Sequence, residues 1–120
     1  MKTNNSENQK APANAGQLSP NYEAIFARLE KQAVNTKQFA SFNLSPFANL
    51  FALSLSELKK HYRPHDCGGF TSDDIEWRLG IGFSTDEEIT GAYDELVEKN
   101  LIRYAGYDEE DGIGHCYELK

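Results

Sequence analysis

The stretch "TSDDIEWRLGIGFSTDEEITGAYDELVEKNLIRY", residues 71–104, decides the fold. It contains two helix starts in close succession. Thr71 or Ser72 supplies a capping hydroxyl for a helix over 73–79, and Gly80-Ile81-Gly82-Phe83 breaks it with a turn. Ser84 or Thr85 then caps a second helix. Either choice places a glutamate three residues on, Glu87 or Glu88, so both frames give a capping box. Ile89, Ala92, Tyr93, Leu96 and Val97 recur at helical spacing and predict the buried side. Leu101 to Tyr104 and His115 to Leu119 are β-prone runs around a loop with Asp108, Glu109, Glu110, Asp111 and Gly112, which reads as a hairpin.

Upstream, Ser45-Pro46 starts a longer helix over 46–63, proline being well placed at a first helical position. Phe47, Leu50, Phe51, Leu55, Leu58 and Tyr62 form its apolar stripe, Ser54 or Ser56 could divide it, and Pro64 stops it. Lys59, Lys60 and Arg63 sit near its end, where cations suit the helix dipole. "DCGGFTS" (66–72) is too glycine-rich for a helix and predicts a turn with a very short strand at Phe70-Thr71. Ser19-Pro20 repeats the start signal, followed by Tyr22, Ile25, Phe26 and Leu29 on one helical face. Residues 19–45 therefore read as an N-terminal helix and a connection. Residues 1–18 read as a disordered tail, polar and without apolar periodicity.

A chain of 120 residues has room for one domain. Its net charge of −7 is unevenly placed. Residues 1–71 hold eight basic and five acidic side chains, whereas 72–120 hold four basic and fourteen acidic ones, so the acidity belongs to the half with the deciding stretch. No apolar core follows Lys2, which excludes a signal peptide. The most apolar run, 47–55, is far shorter than the roughly 20 residues a membrane span needs. A soluble, cytoplasmic protein without membrane contact is expected, with its two cysteines as thiols or ligands rather than a disulfide framework.

Helix, short strand, helix, turn, helix and two-stranded hairpin resemble the winged-helix branch of the helix-turn-helix superfamily over about 46–119. The residues carrying the resemblance are "TSDDIEWRLGIG", "TDEEITGAYDELVEKNLIRY" and "HCYEL". Ile75 and Leu79 match the apolar pair of the first motif helix, and Gly80-Ile81 the turn. Ile89, Ala92 and Leu96 match the seat of the recognition helix, and Leu101-Ile102-Arg103 the strand that opens the wing. The resemblance implies an α+β, mainly α chain: a winged-helix domain over 46–120 with an extra N-terminal helix and a C-terminal β-hairpin wing. Glu76 departs from the pattern, standing where a small residue is usual. A charge there is not expected to be deeply buried.

In a winged helix that reads DNA, the recognition helix meets base edges, and affinity rests heavily on Lys and Arg displacing counterions. Here residues 85–99 hold six acids and one lysine. Asp86, Glu87, Asp94, Glu95 and Glu98 are expected on the exposed side or at its start, and Asp108, Glu109, Glu110 and Asp111 in the wing. A carboxylate about 4 Å from a phosphate is repelled by roughly 4 kcal/mol at an effective dielectric near 20. Base contacts worth about 1–3 kcal/mol each do not offset several such pairs. The expectation is a non-catalytic regulator or inhibitor whose acidic helix and wing bind a protein partner with a basic surface, as on a nucleic-acid-handling machine. A solvated face without a partner is the plain alternative: first-turn acids favour the helix dipole by about 0.3–1 kcal/mol each, which covers Asp86 to Glu88 but not Asp94, Glu95 and Glu98. The rival is a DNA-binding regulator, a homodimer through its N-terminal helices, contacting phosphates by Lys59, Lys60 and Arg63.

His61, His65 and Cys67 form one cluster, His115 and Cys116 another. A zinc site would need both to meet, but the spacing matches no finger, and adjacent strand residues such as His115 and Cys116 face opposite ways. Polar turn residues plus a small buried cysteine are the preferred reading, with no metal and no cofactor. Trp77 lies on the far side of its helix from Ile75 and Leu79. It either packs on the N-terminal helix or is an exposed aromatic anchor for a partner or a second copy. Nothing in the chain forms a catalytic constellation, and no enzyme activity is expected.

Overall fold

The computed structural model describes residues 22–81, 84–108 and 114–120. Among these, the chain is α+β and mainly helical. Its elements are α1 (Tyr22–Lys31), a short 3-10 turn (Ala40–Phe42), α2 (Pro46–His61), α3 (Ser72–Leu79), α4 (Asp86–Glu98), β1 (Ile102–Asp108) and β2 (Gly114–Leu119). The expected tail, 1–18, and the start at Ser19-Pro20 lie outside the described residues.

Helix α2 is the centre. Residues 50–58 are all buried, so the helix is covered on every side rather than along the single stripe its apolar pattern suggests. That is why the two serines do not break it. Ser54 Oγ donates to the Ile75 carbonyl of α3 at 2.9 Å, and Ser56 Oγ donates to Gln38 Oε1 at 3.0 Å. Glu57 is buried but accepts from Arg78 Nη2 at 3.3 Å. Each of these three polar side chains that α2 carries into the core thus meets a partner. Around α2, Ile25 and Leu29 of α1, Phe39, Ile75 and Leu79 of α3, and Ala92 and Leu96 of α4 close one continuous core. Burial of a side chain of the Leu or Phe class stabilises by about 1.5–3 kcal/mol.

The caps settle the ambiguities of the deciding stretch. Thr71, not Ser72, caps α3: its Oγ1 accepts from the Asp74 N–H at 3.2 Å, and Asp74 Oδ2 accepts from the Thr71 N–H at 3.0 Å. Thr85, not Ser84, caps α4 in the same reciprocal way with Glu88. Gly80 ends α3 at φ 75°, the left-handed conformation that glycine adopts without strain, and the Ile81 N–H reaches back to the Glu76 carbonyl. Asn100 (φ 62°) does the same for α4, where the Leu101 N–H reaches the Leu96 carbonyl.

Two packing expectations are corrected. Glu76 is 4% exposed, not held at the surface. Its carboxylate accepts the Ser84 N–H, so a buried charge ties the end of α3 to the start of the next helix. Val97, expected inside, is half exposed, because the core side of α4 ends at Leu96.

Strands β1 and β2 pair antiparallel, with Tyr104 opposite Tyr117 and Tyr107 opposite His115. A bulge between Tyr104 and Gly106 gives β1 one extra residue. The short strand expected at Phe70-Thr71 is a single bridge: Phe70 and Tyr117 exchange both backbone hydrogen bonds at 2.8 Å. Gly69 permits it. A Cβ there would stand 2.6 Å from the Tyr117 carbonyl oxygen, closer than any contact a backbone can absorb.

Candidate partner-binding surface

The acids of α4 divide into two groups. Glu88 belongs to the cap, its Oε1 accepting from the Thr85 N–H at 3.0 Å. Glu95, expected on the exposed face, is taken from it. It accepts from both the N–H and the hydroxyl of Ser45, each at 2.6 Å, and so holds the start of α2. Ser45 does mark that helix start, but its hydroxyl donates outward to α4 instead of capping its own helix. Asp86, Glu87, Asp94 and Glu98 remain exposed. Among the described residues none of these four makes an ion pair.

At 100° per residue, Glu87, Gly91, Asp94 and Glu98 lie within about 40° of one line along the helix, roughly 16 Å long. Lys99, next to this strip, turns away and donates to the Phe42 carbonyl at 2.7 Å. Of the wing acids, the Asp108 side chain, Glu109, Glu110 and Asp111 lie outside the described residues.

Beside the acidic strip runs a row of rings that the sequence reading missed. Tyr93 of α4 stacks on Tyr117 of β2, ring centroids 3.9 Å apart. Tyr117 meets Tyr104 edge-on at 5.5 Å, and Tyr104 and Tyr107 flank His115 at 5.5 and 5.1 Å. The Tyr104 hydroxyl and His115 Nδ1 share a hydrogen bond of 2.8 Å. Tyr104 and Tyr107 are three residues apart and would face opposite ways in a regular strand. The bulge at Ala105-Gly106 supplies the extra residue that returns Tyr107 to the same face as Tyr104 and Tyr117. The one legible signal was the interleaving of Tyr and His in 104–117; the parity that hides the row is undone only by the bulge.

The row meets the helix of the strip where Tyr117 stacks on Tyr93, the residue before Asp94. The Tyr117 phenol is pushed above its ordinary range by burial, then by Tyr104, then by the charge of Asp94. Tyr93 is pushed up far more strongly, chiefly by burial, and among the described residues its hydroxyl has no hydrogen-bond partner.

The remaining candidates lie elsewhere. Trp77 is 62% exposed and packs edge-on against Tyr62 at 5.4 Å, so it does not lie buried on α1. Of the basic cluster, Lys59 donates to the Leu119 carbonyl at 3.2 Å and Lys60 leans on Glu57 at 3.9 Å, leaving Arg63 exposed. His61 also faces Glu57, at 3.5 Å. His65 pairs with Asp74 at 2.8 Å, while His115 is in the ring row and Cys116 is buried on the opposite face of its strand. Among the described residues neither Cys67 nor Cys116 is in a disulfide. Among the described residues no three His, Cys, Asp or Glu side chains gather closely enough to hold a metal ion, and no helix is long and apolar enough to cross a membrane.

Comparison with protein-family models, with curated proteins and with solved structures found no match.

Proposed function

We propose that this chain is a non-catalytic regulator or inhibitor of winged-helix architecture that binds a protein partner with a basic surface. The order of α2, the Phe70 bridge, α3, α4 and the hairpin supports the architecture. One observation carries the binding reading: Glu87, Asp94 and Glu98 stand on one exposed line of α4 with no cation of the described residues to neutralise them. Carboxylates in that position repel phosphates and attract Lys and Arg. Surfaces rich in Lys and Arg are those of proteins that handle nucleic acid, so a partner from that class fits best. The DNA-binding rival is weaker, since Lys59 and Lys60 are engaged by the chain itself and Arg63 alone does not supply a phosphate-binding patch.

The test is capture of a partner from the native host by the whole chain, compared with Glu87→Lys/Asp94→Lys/Glu98→Lys and with Lys59→Glu/Lys60→Glu. Loss in the first variant and retention in the second is expected. Salt-sensitive binding to duplex DNA at about 50 mM salt, abolished by Lys59→Glu/Lys60→Glu, would overturn the reading in favour of the rival.

A further inference from the structure

We infer that the ring face of the hairpin selects arginine over lysine in the partner, which rests on the reading of α4 as an acidic docking strip. A guanidinium is flat and weakly hydrated. It can lie on an aromatic face and still donate from its edge to a carboxylate. An ammonium is compact and strongly hydrated, and gains less from a ring. The surface offers both halves of an arginine site. Tyr104 and Tyr107 are half exposed on one face of the hairpin, and that face continues through Tyr117 to Tyr93 of α4, the residue before Asp94. His115, exposed on the same face, shares a hydrogen bond with the Tyr104 hydroxyl and lies between the two exposed tyrosines.

The described residues do not fill this site themselves. Among the described residues the ring contacts of Tyr104 and Tyr107 are with His115 and Tyr117 alone. The cation of the same strand, Arg103, falls on the opposite face and pairs with Glu118 across the ladder. The bulge matters here, because with regular pairing one of the two tyrosines would share Arg103's face. The acidic strip on the adjoining helix also biases the site against nucleobases. A base stacks equally well, but it brings a phosphate that the acidic strip repels.

The whole chain is titrated at about 50 mM salt with an octa-arginine peptide, an octa-lysine peptide of equal charge and a dodecamer of thymidylate, read by fluorescence anisotropy. Octa-arginine should bind about tenfold more tightly than octa-lysine, the gain from two guanidinium–ring contacts. Tyr104→Ala/Tyr107→Ala should bring the two peptides to equal affinity while leaving the affinity for octa-lysine unchanged. Tyr107→Ala alone, whose ring touches only His115, should remove roughly a threefold share of the preference without risk to the fold. Equal affinities in the unaltered chain would overturn arginine selection and leave the acidic docking strip standing. Failure of both peptides to bind would overturn both. Thymidylate binding that competes with octa-arginine would overturn the inference in favour of a nucleobase platform.

Discussion

Replacing Glu95 with alanine separates the acids that build the fold from those that do not. Glu95 accepts two hydrogen bonds from Ser45, both at 2.6 Å, and its charge stands at the start of α2, the helix around which the whole core closes. A hydrogen bond to a charged group contributes about 1.5–3 kcal/mol, less where water competes, and the negative charge near a helix start adds about 0.3–1 kcal/mol. The pair is half-buried, so a loss of about 2–3 kcal/mol is expected for Glu95→Ala, or a fall in Tm of roughly 10–20 °C for a domain of this size. Glu95→Gln should cost only about 1 kcal/mol: its oxygen can still accept the Ser45 N–H, and the Ser45 hydroxyl can turn to accept from the new amide. Exposed Glu98→Ala and Asp94→Ala should stay within about 0.5 kcal/mol of the unaltered chain. Urea unfolding followed by circular dichroism measures all four, and the slope of the transition should not change. If Glu95→Ala unfolds at the same urea concentration as Glu98→Ala, the division of the α4 acids into two groups is wrong.

Tyr93→Phe is expected to stabilise the protein by about 1 kcal/mol at neutral pH, since the hydroxyl it removes is buried with no partner among the described residues. The same variant should blunt alkaline unfolding. Because the folded chain raises the Tyr93 pKa above the unfolded value of about 10, its ionisation leaves stability unchanged below pH 10 and takes stability away as pH climbs beyond it, at up to about 1.4 kcal/mol per pH unit; a stability-against-pH curve that Tyr93→Phe leaves equally steep would count against this. Gly91→Ala should raise stability by about 0.5–1 kcal/mol, as the new methyl meets nothing within 4 Å, yet weaken partner capture. A stabilised variant with undiminished capture would take the strip out of the interface.

Much of the fold was legible because its signals are local. Caps, the αL glycine at Gly80 and helical spacing on α4 depend on residues within one turn of each other, and they placed the helices to within a residue or two. What escaped was tertiary in origin. The all-round burial of α2 follows from α1, α3 and α4 packing on three sides, so Ser54 and Ser56 read as a break in the helix until Ile75 and Gln38 were placed beside them. Glu76 and Glu95 deceived in the same way: a helical wheel reads a carboxylate as solvated, whereas here the Ser84 and Ser45 amides supply long-range donors that let it be buried or half-buried. The acidic strip survived this correction with Glu87, Asp94 and Glu98. The ring row could not be seen, since strand parity assigns Tyr104 and Tyr107 to opposite faces and one inserted residue reverses the assignment.

The surface formed by strip and row is unfavourable to the isolated protein at several places at once. Asp94 and Glu98 are like charges one helical turn apart, which costs about 0.2–0.5 kcal/mol, and Lys99 next to them is spent on the Phe42 carbonyl instead of relieving them. Gly91 lies between Glu87 and Asp94 in open space, where alanine would fit and would stabilise the helix. Tyr104 and Tyr107 leave half their surface in water. Any one of these is ordinary on a surface. Their concentration along one side of α4 and one face of the hairpin, while the capping box of the same helix follows the local rule, is the pattern expected where a sequence answers to something other than its own stability. A partner that brings cations to the carboxylates, flat groups to the rings and its backbone close to Gly91 would turn all three costs into contacts. A merely solvated face accounts for the charges, but not for the glycine or for the bulge that lines up the rings.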